Sequence, residues 1–123
     1  MKKFLCICLV LSLCCTLAAC NQSNRVKLTI SDNSMEPTFS EGDTIIYEPV
    51  DTDTLQVGDI IAFWMVVDGE RAVQAHRIVN IYDLGENLLF ETKGDNAEKS
   101  DAMPVHESNV LGKYVRTLIF GFF

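Results

Sequence analysis

Val26-Lys27-Leu28-Thr29-Ile30 runs straight into Ser31-Asp32-Asn33-Ser34-Met35-Glu36-Pro37-Thr38-Phe39-Ser40-Glu41-Gly42-Asp43. The first five residues alternate in the manner of a β-strand, with β-branched side chains that suit a pleated surface. Ser31, Asp32 and Asn33 end it, because their short polar side chains bond nearby backbone and favour turns. Ser34 therefore stands at a strand-to-turn junction, with the stiff Pro37 three residues on. A hydroxyl held there can be aimed outward while backbone N–H groups converge beside it. An acyl-transfer nucleophile needs that geometry.

The pattern after the junction is β-rich. Thr44 to Glu48 reads as a strand ended by Pro49, and Asp51 to Thr54 as a turn or a single helical turn. Ile60 to Val67 is a continuous apolar run, as in a buried strand. Asp68-Gly69 is a strong hairpin signal, so Arg71 to Tyr82 becomes the partner strand, carrying His76. Residues 83 to 87 form another turn, Leu88 to Thr92 a strand and Gly94 to Asp101 a loop. Val110 to Phe120 closes the domain, with a bulge expected at Gly112. No helical period exceeds two turns after Cys20. The fold class is mostly β: antiparallel strands with short helical turns.

Three short stretches, in order, carry a family resemblance. Ser34-Met35-Glu36-Pro37-Thr38 followed by Gly42-Asp43 resembles the nucleophile box of type I signal peptidases. Ala75-His76-Arg77-Ile78-Val79 is similar to the general-base box. Thr92-Lys93-Gly94-Asp95-Asn96, closing with Asp101, is similar to the third box. The resemblance covers roughly residues 26 to 117 and implies the signal-peptidase/LexA-like β-fold. A self-cleaving regulator of the LexA type shares the serine box and the fold. The export signal described below and the lack of a DNA-binding segment argue against it.

The resemblance also assigns roles. Ser34 would be the nucleophile and His76 the general base. Asp101 would be the carboxylate that fixes the tautomer of His76 and stabilises the imidazolium. Asp95 would support its loop. Most bacterial members have lysine where this chain has His76; histidine there is similar to the endoplasmic-reticulum and archaeal branch. A lysine base must be desolvated to work near neutrality, whereas an imidazole needs little tuning. No metal or other cofactor is implied. One position departs from the pattern. Family members often supply an oxyanion donor two residues before the nucleophile, and here that residue is Asp32. An ionised carboxylate accepts hydrogen bonds and donates none. It either turns away, leaving backbone donors alone, or lowers activity.

The remaining polar candidates have plainer expectations. His106, near a loop, is expected to be solvent-exposed. Asp43 and Asp59, each after a glycine, read as turn residues. Lys93 is expected to be salt-bridged or exposed.

The amino-terminal segment reads as targeting sequence, not as part of the fold. Lys2-Lys3 precede a mostly apolar run from Phe4 to Leu17, then small residues and Cys20. The run is short for a membrane span, which needs about 20 residues. Leu17-Ala18-Ala19-Cys20 resembles a bacterial lipobox. That implies cleavage before Cys20 and lipidation of its sulfur; an uncleaved signal anchor is the alternative. The division expected is 1–19 signal peptide or anchor, 20–25 tether and 26–123 catalytic domain. All five cysteines lie in the first twenty residues, so the rest of the chain can form neither an internal disulfide nor a cysteine metal site.

Formal net charge is −7, and −9 once Lys2 and Lys3 leave with residues 1–19. An acidic domain is a poor nucleic-acid binder, since such binding rests on Lys and Arg neutralising phosphates. Two functions are consistent with these features. One is a membrane-anchored serine endopeptidase that cleaves signal peptides from exported proteins at the outer face of the bacterial cytoplasmic membrane, its partners being preproteins and lipid. The other is a non-catalytic lipoprotein that keeps the fold to bind exported chains or an envelope partner. The aromatic end, Leu118 to Phe123, reads as a core strand with a frayed end, or as a foot in the lipid interface beside Phe63, Trp64 and Met65.

Overall fold

A computed structural model describes residues 24–119. The signal segment, Cys20, residues 21–23 and the end from Phe120 lie outside the described residues, and with them the expectations placed there.

Among the described residues seven strands form one antiparallel sheet: β1 (Val26–Thr29), β2 (Thr44–Glu48), β3 (Ile60–Val67), β4 (Glu70–Asp83), β5 (Leu88–Lys93), β6 (Val105–His106) and β7 (Val110–Leu118). Their spatial order is β1-β2-β7-β3-β4-β5-β6. Single 3-10 turns occupy Thr52–Thr54 and Glu107–Asn109. The mostly-β expectation holds.

The apolar run of β3 has a physical cause. Successive side chains on a strand point to opposite faces, and both faces of β3 are covered. Ile60 joins a cluster with Ile30, Met35, Phe39, Ile45 and Ala75. Ile61 and Phe63 join a second cluster with Leu55, Ile78, Phe90 and Val105. Polar alternation would leave one cluster without its floor. The β3–β4 hairpin turns at Asp68 (φ 51°) and Gly69 (φ 81°). Two consecutive left-handed residues make the tight turn that the Asp-Gly pair is suited to form. The hairpin then pairs without a break from Val67↔Glu70 to Ile60↔Arg77.

β1 and β2 are also joined as a hairpin, but through a long loop. Ile30 N–H donates to Asp43 O (2.8 Å) and Gly42 N–H to Ile30 O (2.8 Å), which closes the loop at its base. Inside the loop Met35 and Phe39 are almost fully buried. Each such side chain contributes roughly 1.5–3 kcal/mol by leaving water. The loop carrying Ser34 is thus pinned to the core from below.

Several details differ from expectation. β6 and the 3-10 turn after it are not legible in the sequence. The bulge in β7 falls beside Gly112 and not on it: pairing with β3 skips Leu111, from Ala62↔Gly112 to Phe63↔Val110. Gly112 serves a different end. A Cβ there would lie 2.3 Å from Glu48 O, so the two backbones could not approach. His106 is half-buried rather than exposed, and its Nδ1 accepts from Ser108 N–H to cap the turn (3.0 Å).

Candidate active site

Ser34 sits in the tight part of the β1–β2 loop, where Thr38 N–H donates to Met35 O (2.9 Å) and Glu36 N–H to Asn33 O (3.2 Å). The third-box loop grips it from the side. Asn96 N–H donates to Ser34 O (2.9 Å), and Asn96 Nδ2 donates to Asn33 O (3.2 Å). Gly94 lies flat against the serine: a Cβ there would come 2.5 Å from Ser34 O.

His76 occupies the middle of β4, opposite Ile61 on β3. It is 7% exposed and meets the Phe63 ring edge-on at 6.2 Å. Its Nε2 lies 3.0 Å from Ser34 Oγ. Its Nδ1 lies 2.6 Å from Asp101 Oδ2. The same Oδ2 accepts from the Thr92 hydroxyl (2.7 Å), and Asp101 N–H donates to Thr92 O (2.8 Å). Two bonds to one residue of β5 therefore set where Asp101 stands. Nδ1 is thus the ring atom turned to the carboxylate and Nε2 the one turned to the serine.

Asp95 does not face the histidine. It takes a two-pronged ion pair from Arg77, Nε to Oδ1 at 2.9 Å and Nη2 to Oδ2 at 2.8 Å. It also accepts a short hydrogen bond from the Thr38 hydroxyl. Hydrogen bonding from Arg77 holds its carboxyl below the ordinary 3.8, outweighing the burial that raises it. Asp95 thereby ties together the serine loop, the histidine strand and its own loop. Asp43 and Asp59 close turns, accepting from Ser40 N–H (2.8 Å) and Gln56 N–H (2.9 Å). Lys93 has neither of its expected environments. It is half-buried, and its ammonium bonds two carbonyls, Gly94 O (2.9 Å) and Ala97 O (2.6 Å), bracing the third-box loop.

Asp32 does not turn away. Its Oδ1 accepts from both the Ser34 hydroxyl (2.7 Å) and the Ser34 backbone N–H (3.2 Å). Its Oδ2 accepts from Gln74 Nε2 (3.2 Å). Burial pushes the Asp32 carboxyl up, but the hydrogen bonds from Ser34 and Gln74 prevail and hold it below 3.8. It is ionised at neutral pH. Gln74, on the same strand as His76, is a contact that sequence reasoning missed. Its two-residue spacing from His76 puts both side chains on one face, and that was the available signal.

Phe63 is core, while Trp64 and Met65 are half-buried and line a cleft of about 580 Å³ that also touches Arg71, Asp101 and Met103. Among the described residues no helix is long and apolar enough to cross a membrane.

A serine, an imidazole and a carboxylate standing in one row, each within hydrogen-bond distance of the next and mounted on an antiparallel sheet, form the arrangement used by serine-dependent acyl-transfer proteins. Comparison with known proteins narrows the class. Signal peptidase I W of Bacillus subtilis is 42% identical over 87 residues, 70% of this chain and 44% of that protein. The signal peptidase complex catalytic subunit SEC11C of Homo sapiens is 31% identical over 75 residues, 60% of this chain and 38% of that protein. The corresponding SEC11 subunit of Candida albicans is 31% identical over 86 residues, 70% of this chain and 50% of that protein. No family model matches the chain. The chain belongs to the type I signal peptidase family, in the branch similar to the endoplasmic-reticulum subunits. It spans half or less of the length of these relatives.

Proposed function

We propose that the protein is a serine endopeptidase that removes signal peptides from exported preproteins at the outer face of the bacterial cytoplasmic membrane. Ser34 attacks the scissile carbonyl and His76 Nε2 takes the hydroxyl proton. Asp101 holds the ring and stabilises its charge. The proton then passes to the leaving amine, and water hydrolyses the acyl-serine with His76 again as base. The observation that carries this is the row Ser34 Oγ–His76 Nε2 at 3.0 Å and His76 Nδ1–Asp101 Oδ2 at 2.6 Å. That its relatives are named signal peptidases supports the substrate class.

The preprotein docks as an extended strand, gaining main-chain hydrogen bonds at a sheet edge. β1 is an edge strand that leads into the serine loop, which suits this mode. Lipidation of Cys20 tethers the domain. Fourteen residues separate Cys20 from Ser34, a reach of at most about 50 Å at ~3.3–3.6 Å per residue. The test is cleavage of a purified preprotein by the full chain. Wild type should cut it, and Ser34→Ala or His76→Lys should abolish cutting. Undiminished cleavage by Ser34→Ala would refute the mechanism.

A second function, a non-catalytic lipoprotein that binds exported chains, is favoured by one observation: the Asp32 carboxylate on the Ser34 hydroxyl and N–H. Binding of a preprotein with no cleavage by wild type, and none on replacing Asp32, would support it.

A further inference from the structure

Ser34 has two donors that catalysis needs. The hydroxyl must give its proton to His76, and the backbone N–H must face the oxyanion. Asp32 Oδ1 holds both, at 2.7 Å and 3.2 Å. A hydroxyl has one proton. Donated to Asp32, it is not available to Nε2 at 3.0 Å. The carboxylate is itself held from behind. Gln74 Nε2 donates to Oδ2 (3.2 Å), while Gln74 Oε1 accepts from Ala75 N–H (3.0 Å), fixing the amide on its own strand.

We infer that Asp32, steadied by Gln74, is a specificity-determining residue: it occupies the positions of the serine proton and the oxyanion, and only a substrate that docks firmly enough to displace it is cleaved. The inference rests on the peptidase proposal. Its energetic basis is that binding energy from remote parts of a substrate can be spent at the reacting centre. Displacing the carboxylate costs two charge-assisted hydrogen bonds, and such bonds are stronger than neutral ones. A long preprotein that pairs along a strand can offset that cost. A short peptide around the cleavage site cannot. The residue thus narrows the substrate range instead of abolishing the chemistry.

Two measurements on the full chain test this. In the first, a fluorophosphonate reacts with Ser34. The Oγ–P bond forms, the P–F bond breaks and fluoride leaves; the hydroxyl proton goes to His76. Intact mass follows the adduct. Asp32→Asn, nearly isosteric, should label faster than wild type by on the order of 10-fold or more, a fraction of what one oxyanion donor is worth. Gln74→Ala should lie between them, and Ser34→Ala should take no label. In the second, kcat at saturating substrate is measured for a preprotein and for a short peptide spanning its cleavage site, because a fixed cost of displacing Asp32 cancels in a ratio of kcat/KM values but not in a ratio of kcat values. The preprotein-to-peptide ratio should fall on Asp32→Asn.

Equal or slower labelling of both Asp32→Asn and Asp32→Ser overturns the inference, as does an unchanged ratio. Faster labelling with no preprotein cleavage by any variant keeps the Asp32 contact as a brake on Ser34 but overturns both the selection of substrates and the peptidase proposal.

Discussion

Arg77 and Asp95 are joined by two parallel charged hydrogen bonds, 2.9 and 2.8 Å, one residue along the strand from His76. Two-pronged geometry of this kind fixes orientation as well as distance. Because Asp95 also takes the Thr38 hydroxyl, the pair sets the spacing between the histidine strand and the serine loop without touching the side chain of Ser34 or His76.

Asp95→Asn is therefore expected to weaken the fold by roughly 1–2 kcal/mol, a value reduced for the exposure of the arginine. The pH dependence has a definite sign. The folded carboxyl lies below its ordinary value of 3.8, so its contribution is present above that value and is lost as pH falls through the folded value. Thermal melts should show a full wild-type advantage at pH 6, and the gap to Asp95→Asn should shrink below about pH 4. A gap that is constant from pH 6 to pH 2 would contradict it.

Asp101→Asn should leave stability nearly unchanged and reduce kcat by a factor on the order of 10²–10⁴. The amide would present an N–H to the Nδ1 edge and favour the wrong tautomer. Thr92→Val, which removes one of the two bonds placing Asp101, should cost less than Asp101→Asn. The two variants measured side by side on a preprotein check the order. A kcat for Asp101→Asn equal to wild type would exclude the carboxylate from the mechanism.

Much of the scaffold was legible because its signals are local. The Asp68-Gly69 turn, the apolar run of β3 and the three boxes each declare themselves within a few residues. β6 did not, since two residues after Pro104 show no period; Val105 is a strand only because Phe90 pairs with it across the sheet. The candidate row of Ser34, His76 and Asp101 came from the family resemblance, and its distances could come only from the fold. The side of Ser34 taken by Asp32 was illegible for the same reason. It depends on Gln74, forty-two residues on, being held at the right height on β4. Lys93 was misjudged because its partners are carbonyls of a turn, which leave no mark in charge patterning.

Gly94→Ala separates positioning from chemistry. Its new methyl would start 2.5 Å from Ser34 O and 3.2 Å from Ser34 Cβ, so one of the two loops must shift. Overpacking at such a contact costs about 1–3 kcal/mol. The larger effect should fall on turnover, because a displacement of about 1 Å at a reacting group can cost on the order of 10² in rate. Ser34, His76 and Asp101 all remain in this variant. A chain that melts cooperatively but cleaves at least 10-fold more slowly would show that the third-box loop sets the serine's position. Wild-type turnover with lowered stability would assign the glycine to packing alone.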